Sequence, residues 1–131
     1  MKKSLGIISI LIIIATIFVT IFSYTTSPIY LCVNPNDTDS LIFQIMGKYW
    51  CKGNLPYKDL WDMKGPYIFL MNAIGYGLTG TRTGVYLLQI AFMTITLYGI
   101  FKMYRLYYSL KWSFVMTSIS QTSLFYVYGG G

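Results

Sequence analysis

Between Lys3 and Asp37 the chain carries no charged side chain, and Leu5 to Phe22 is an almost unbroken series of Ile, Leu, Val and Phe. At about 1.5 Å per residue, a helix of that length approaches the roughly 30 Å of a bilayer's hydrocarbon core. Residues 83–101 form a second charge-free run that ends at Lys102 and Arg105, and residues 112–131 form a third after Lys111. The run over residues 67–78 is shorter, follows Gly65-Pro66 and is interrupted by Gly75 and Gly77. As a helix its reach would be about 18 Å, too little to cross. If it crossed, Lys102, Arg105 and Lys111 would face outward; if it only dips into the interface, they fall inside with Lys2 and Lys3, as the positive-inside rule prefers. The pattern therefore predicts an all-α, polytopic membrane protein with three transmembrane helices, over residues 5–23, 83–101 and 112–128. The N-terminus is then cytoplasmic and residues 24–82 form one extracytoplasmic loop. A cleaved signal peptide is the other reading of Lys2-Lys3 and the apolar run behind it. The run is longer than a usual signal core, and no small-x-small cleavage site follows it, which favours an uncleaved helix.

Inside the loop, Asp37-Thr38-Asp39-Ser40 precedes a segment in which Leu41, Ile42, Ile45, Met46, Tyr49 and Trp50 recur at helical spacing. Asp or Ser caps a helix N-terminus well, Lys48 and Lys52 suit the C-terminal end of the dipole, and Gly53 is a good stop. This predicts an amphipathic juxtamembrane helix lying on the outer face. Asn54-Leu55-Pro56-Tyr57 then reads as an extended or turn connection, because proline disfavours helix in the residue before it.

Composition narrows the classes. The 131 residues are 55% hydrophobic and 11% charged, against about 25% charged in an ordinary soluble domain. A soluble monomer, a disordered chain and a free-standing nucleic-acid module are all poor fits. Histidine is absent, which removes His-based acid/base chemistry and Ser-His-Asp triads. Cys32 and Cys51 cannot make a zinc site alone; their spacing permits one disulfide and proves none. The net charge of +6 is unevenly placed: Asp37, Asp39, Asp59 and Asp62 lie with Lys48, Lys52, Lys58, Lys64 and Arg82 in the loop, and the other five cations sit at the ends of hydrophobic runs. Cytoplasmic anchoring explains those five more simply than nucleic acid does.

Aspartates between membrane-inserting segments are costly near hydrocarbon and tend to be functional there. The plainer reading is that Asp37 and Asp39 cap a helix, that Asp59 and Asp62 pair with Lys58 and Lys64, and that Tyr57, Trp61 and Tyr67 belong to an aromatic belt. The ordered combination points further. Asp39-Ser40 with Phe43, then Gly53-Asn54-Leu55-Pro56-Tyr57-Lys58-Asp59, then Trp61-Asp62-Met63-Lys64-Gly65-Pro66, all behind a first membrane helix, resembles the start of the GT-C superfamily of integral-membrane glycosyltransferases. The resemblance is to the family-39-like branch related to protein O-mannosyltransferases and lipid A aminoarabinose transferases, and it runs from about Leu5 to the C-terminus. The position of Met63 is often His in that family, so no role is carried onto it.

The resemblance implies transfer of a sugar from a polyprenyl-phosphate donor to an acceptor at the outer membrane face. It makes Asp39 the candidate catalytic base, with Asp37 second, since a carboxylate can take the acceptor hydroxyl's proton as that oxygen attacks the anomeric carbon. Lys64, and behind it Arg82, would stabilise the departing phosphate. Tyr57, Asp59 and Asp62, in the matching motifs, are the implied substrate-binding residues. A single displacement would invert the anomeric centre. Some relatives use a divalent metal, but two nearby carboxylates do not establish a site; no cofactor is otherwise implied. The partners implied are the polyprenyl-phosphate-linked sugar and membrane lipids, with the acceptor open and nucleic acid excluded. The chain stops at Gly129-Gly130-Gly131, where an enzyme of this superfamily continues through further helices. The reading is thus an N-terminal fragment of one GT-C-like domain in a bacterial inner membrane. The alternative is a small non-catalytic membrane protein, a glycolipid translocase or an accessory subunit. A translocase would place ionisable residues within its spans, whereas here the spans are clean and charge gathers in the first loop.

Overall fold

The computed structural model describes residues 2–23, 25–29 and 38–129, and the described residues are helical, with no strand. The elements are α1 (Lys2–Phe22), α2 (Thr38–Trp50), α3 (Pro66–Thr79), α4 (Arg82–Tyr104) and α5 (Leu110–Gly129). Two of them are long and apolar enough to cross a membrane, α1 over Leu5–Phe22 and α4 over its whole length. By length and composition alone this is weak evidence for a membrane protein. α5, at 20 residues, is long enough, but Ser113, Thr117, Ser118, Ser120, Gln121, Thr122 and Ser123 make it less apolar than the other two. α3 has 14 residues and so a reach of about 21 Å.

The chain divides into two compact units. In the unit formed by Met1–Ile17 and Ala91–Gly131, the buried side chains are Leu11 and Ala15 of α1, Leu97 and Phe101 of α4, and Ser113, Thr117 and Gln121 of α5. The Phe101 and Phe114 rings lie 4.6 Å apart, and the Tyr104 hydroxyl pairs with that of Ser120 at 2.7 Å. Ser113 and Thr117 hydroxyls donate to the carbonyls four residues earlier, which lets polar side chains sit in a buried helix face without orphaned donors.

The other unit, Phe18–Ile90, holds the end of α1, all of α2 and α3, and the beginning of α4. Hydroxyl and amide groups join the end of α1 to the start of α4. Thr20 pairs with the Tyr86 hydroxyl at 2.6 Å, and Ser23 and Thr26 both donate to Gln89 Oε1, at 3.0 and 2.6 Å. Buried Ser27 donates back to the Thr20 carbonyl at 2.7 Å.

α2 stops as its sequence predicts. Gly53 takes φ 94°, its N–H bonds the Trp50 carbonyl, and the Asn54 N–H reaches the Tyr49 carbonyl, the double closure of a Schellman cap. The orientation of α2 differs from the simple amphipathic pattern. Met46 is buried, but Ile42, Ile45 and Tyr49 point outward, while the inner face carries Gln44 and Gly47. The reason is close packing on α3. A Cβ on Gly47 would stand 2.5 Å from the Asn72 Cβ and 2.6 Å from its backbone carbonyl carbon, so only glycine fits. Phe43 meets Phe69 at 6.0 Å, and Cys51 Sγ, a free thiol, donates to the Ala73 carbonyl at 2.9 Å. Residue numbers rise together along both helices in these contacts, so α3 runs in the same direction as α2. At its far end Gly80 closes α3 with φ 72°, and α4 turns back so tightly that a Cβ on Gly84 would overlap the Gly75 carbonyl oxygen.

This packing predicts that Gly47→Ala destabilises the protein by about 1–3 kcal/mol, the usual range for overpacking. Gly99→Ala is the control: a Cβ there meets nothing within 4 Å, and alanine in a helix interior should be neutral or stabilising. Thermal unfolding of the two variants in the same detergent checks the sign of each.

Candidate functional site

Two helices that run in the same direction need a return segment between them, and residues 51–65 supply it. The return starts at the C-terminal end of α2 and must finish beside its N-terminal end, where α3 begins. Lys64 is therefore delivered to the first turn of α2, and its Nζ stands 3.4 Å from Asp39 Oδ2. Both side chains are open to solvent, Lys64 at 54% and Asp39 at 65%. Asp39 lies in the first turn of α2, where a carboxylate also complements the helix dipole.

The return segment is held by its own polar groups. Asp59 Oδ2 accepts the Leu55 N–H at 2.8 Å, and the Asp59 N–H bonds the Leu55 carbonyl at 2.9 Å, closing a tight turn around Pro56. Tyr57 sits inside that turn with φ 67°, a left-handed conformation that costs a non-glycine residue about 1–2 kcal/mol. Its N–H bonds the Leu60 carbonyl, its ring meets Trp61 edge-on and leans on Phe69, and its hydroxyl donates to the Lys64 carbonyl. Asp62 Oδ1 accepts the Lys64 N–H at 3.1 Å. The backbone of Lys64 is thus fixed on both its N–H and its C=O while its ammonium group remains exposed, a geometry that presents a cation at one place.

Measured against the residues singled out from sequence, the fold brings Asp39 and Lys64 together. Tyr57, Asp59 and Asp62 act on this pair through the backbone: each uses a polar atom to shape the turn that carries Lys64. Arg82 follows the C-terminal end of α3, the full length of that helix, about 20 Å, from Lys64. Burial pushes the Tyr76 phenol above its ordinary value of 10.0, while the Arg82 charge pulls it down. Asp37 and Cys32 lie outside the described residues. Among the described residues no group of three or more His, Cys, Asp or Glu side chains gathers to hold a metal ion, and Asp39 with Lys64 as its neighbour is not by itself a fitting donor set for one.

The sequence pattern does not reveal the polar groups between α2 and α3. Gln44 and Asn72 are buried, the Tyr76 hydroxyl reaches Gln44 Oε1 at 3.4 Å, and Asn72 Nδ2 donates to the Ile68 carbonyl at 2.8 Å. Gln44 Nε2 finds no partner among the described residues. The amide in the middle of each helix, Gln44 in α2 and Asn72 in α3, was the available signal.

Because the Asp39–Lys64 pair is exposed, it contributes little to stability, about 0–1 kcal/mol. Tyr57→Phe removes the hydroxyl's bond to the Lys64 carbonyl and should cost about 1 kcal/mol, more than Asp39→Asn, which loses an exposed ion pair. Chemical denaturation of both variants gives the order; a larger loss from Asp39→Asn would make the ion pair a structural element. Comparison with protein-family models, with curated proteins and with solved structures finds no match to this chain.

Proposed function

We propose that the protein is the N-terminal part of a GT-C-type membrane glycosyltransferase, which moves a sugar from a polyprenyl-phosphate donor to an acceptor at the extracytoplasmic face of a bacterial inner membrane. In this reading α1, α4 and α5 cross the bilayer and residues 24–82 lie outside. The hydrogen bonds joining the end of α1 to the start of α4 support it, because they put both ends of that segment together. The single observation that carries the reading is the 3.4 Å pairing of Asp39 with Lys64, the two residues given the base and phosphate roles by the resemblance.

The chemistry constrains how the pair is used. In an inverting displacement the attacking oxygen and the leaving phosphate occupy opposite faces of the anomeric carbon. Inverting glycosidases keep their two catalytic carboxylates about 6.5–9.5 Å apart for an equivalent reason. At 3.4 Å, Asp39 and Lys64 cannot flank a sugar. Donor binding therefore opens the pair: the Lys64 ammonium turns to the phosphate, and the Asp39 carboxylate is released to accept the acceptor's proton. The opening costs little, since an exposed pair is weak.

The experiment is sugar transfer from a polyprenyl-phosphate donor by membranes containing the complete protein of which this chain would be the N-terminal part, with its abundance measured alongside. Asp39→Asn keeps the size of the side chain and removes the base, so turnover falls about a hundredfold or more, while Lys64→Gln weakens use of the donor. Full activity in Asp39→Asn, or no transfer by the complete unaltered protein, would contradict the reading; the latter would favour a non-catalytic membrane protein.

A further inference from the structure

The turn between α4 and α5 concentrates one sign of charge beside exposed apolar surface. Lys102, Arg105 and Lys111 fall within ten residues, and no Asp or Glu occurs anywhere after Asp62. All three cations are exposed. Around them Tyr107 is 84% exposed and Leu106 77%, and Met103 and Trp112 are also open.

The turn is an ordered structure. The Arg105 and Tyr108 N–H groups bond the carbonyls of Phe101 and Tyr104, and those of Leu106 and Tyr107 bond Met103 and Tyr104. Arg105 Nη1 donates to the Tyr108 carbonyl at 2.8 Å, and Tyr104 and Tyr108 meet edge-on at 6.1 Å. Exposed Leu and Tyr side chains are thus held outward on a fixed frame.

Two simpler explanations cover only part of this. Lys102, in the last turn of α4, complements that helix's C-terminal dipole. Lys111 does the opposite, because it sits in the first turn of α5, where a cation opposes the dipole and no acidic residue offsets it. Solvation accounts for the cations and leaves Leu106, Tyr107 and Trp112 unexplained. A bilayer surface accounts for both, since it offers phosphate oxygens to the cations and an apolar boundary to the aromatic and aliphatic groups. Continuity supplies the position: α4, one of the two helices apolar enough to cross, ends at Tyr104.

We propose that the α4–α5 turn is a binding site for anionic phospholipid, with Lys102, Arg105 and Lys111 on the headgroup phosphates and Leu106, Tyr107 and Trp112 at the acyl boundary. The inference is independent of sugar transfer.

The test uses the full chain with Trp50→Phe and Trp61→Phe, so that Trp112 is the sole tryptophan. It is reconstituted in phosphatidylcholine vesicles that contain either phosphatidylglycerol or further phosphatidylcholine brominated near the headgroup. Brominated phosphatidylglycerol is expected to quench Trp112 more strongly than the same fraction of brominated phosphatidylcholine. The preference should fall about fivefold for each cation replaced by glutamine and shrink as salt is raised. Lys111→Gln alone, whose partial loss requires no change elsewhere, keeps the test available where the triple variant does not fold. Equal quenching by both lipids, an unchanged preference in the variants, or no quenching by either would each overturn the proposal.

Discussion

The packing of α2 on α3, and the path of the segment that joins them, depends on the close approach of the two helices at Gly47. With a Cβ only 2.5 Å from the Asn72 Cβ, any larger residue would separate the helices. That separation would release the Phe43–Phe69 contact on one side and the Cys51 thiol's bond to Ala73 on the other. The packing also fixes direction. Two helices side by side in the same sense require the intervening chain to double back, and the fifteen residues from Cys51 to Gly65 do so. Lys64 reaches Asp39 because of this topology, since the residues are too far apart in sequence for helical spacing to join them.

The return segment is stabilised by polar side chains acting on backbone. Asp59 ties the turn at Leu55, Asp62 holds the Lys64 N–H, and Tyr57 accepts a left-handed conformation while its hydroxyl binds the Lys64 carbonyl. Strain of this kind persists where surrounding contacts over-determine it. Here the surrounding bonds hold the Lys64 backbone firmly while its long side chain stays exposed beside Asp39. The same division between fixed frame and exposed charge recurs in the α4–α5 turn, where Arg105 bonds the Tyr108 carbonyl.

Local chemistry was legible in the sequence and tertiary direction was not. The polar residues around Asp39 and the glycine at 53 predict α2, although the helix already includes Thr38, Asp39 and Ser40, and the charge-free runs predict α1 and α4, although α4 continues to Tyr104, past the expected end at residue 101. The short run at 67–78 is a helix of its own, α3. The amphipathic pattern of α2 was less informative. Periodicity groups Met46 with Ile42 and Ile45, yet the helix turns the latter two outward, because a glycine and an amide make the better surface for close packing on α3. Asp39 and Lys64 could be named from motif order. Their meeting could not, since it follows from the parallel packing, and neither could the positioning role of Tyr57, which rests on a hydroxyl seven residues from its acceptor.

Zero-length carbodiimide coupling tests that meeting most directly, because it joins a carboxylate to an amine only when the two touch. In the folded protein, peptide mass spectrometry should find an amide between the Asp39 side chain and Lys64, which stand 3.4 Å apart. The same product should disappear in Gly47→Leu, which forces α2 from α3. Absence of the Asp39–Lys64 product in the folded protein, or its persistence undiminished in Gly47→Leu, would contradict the account.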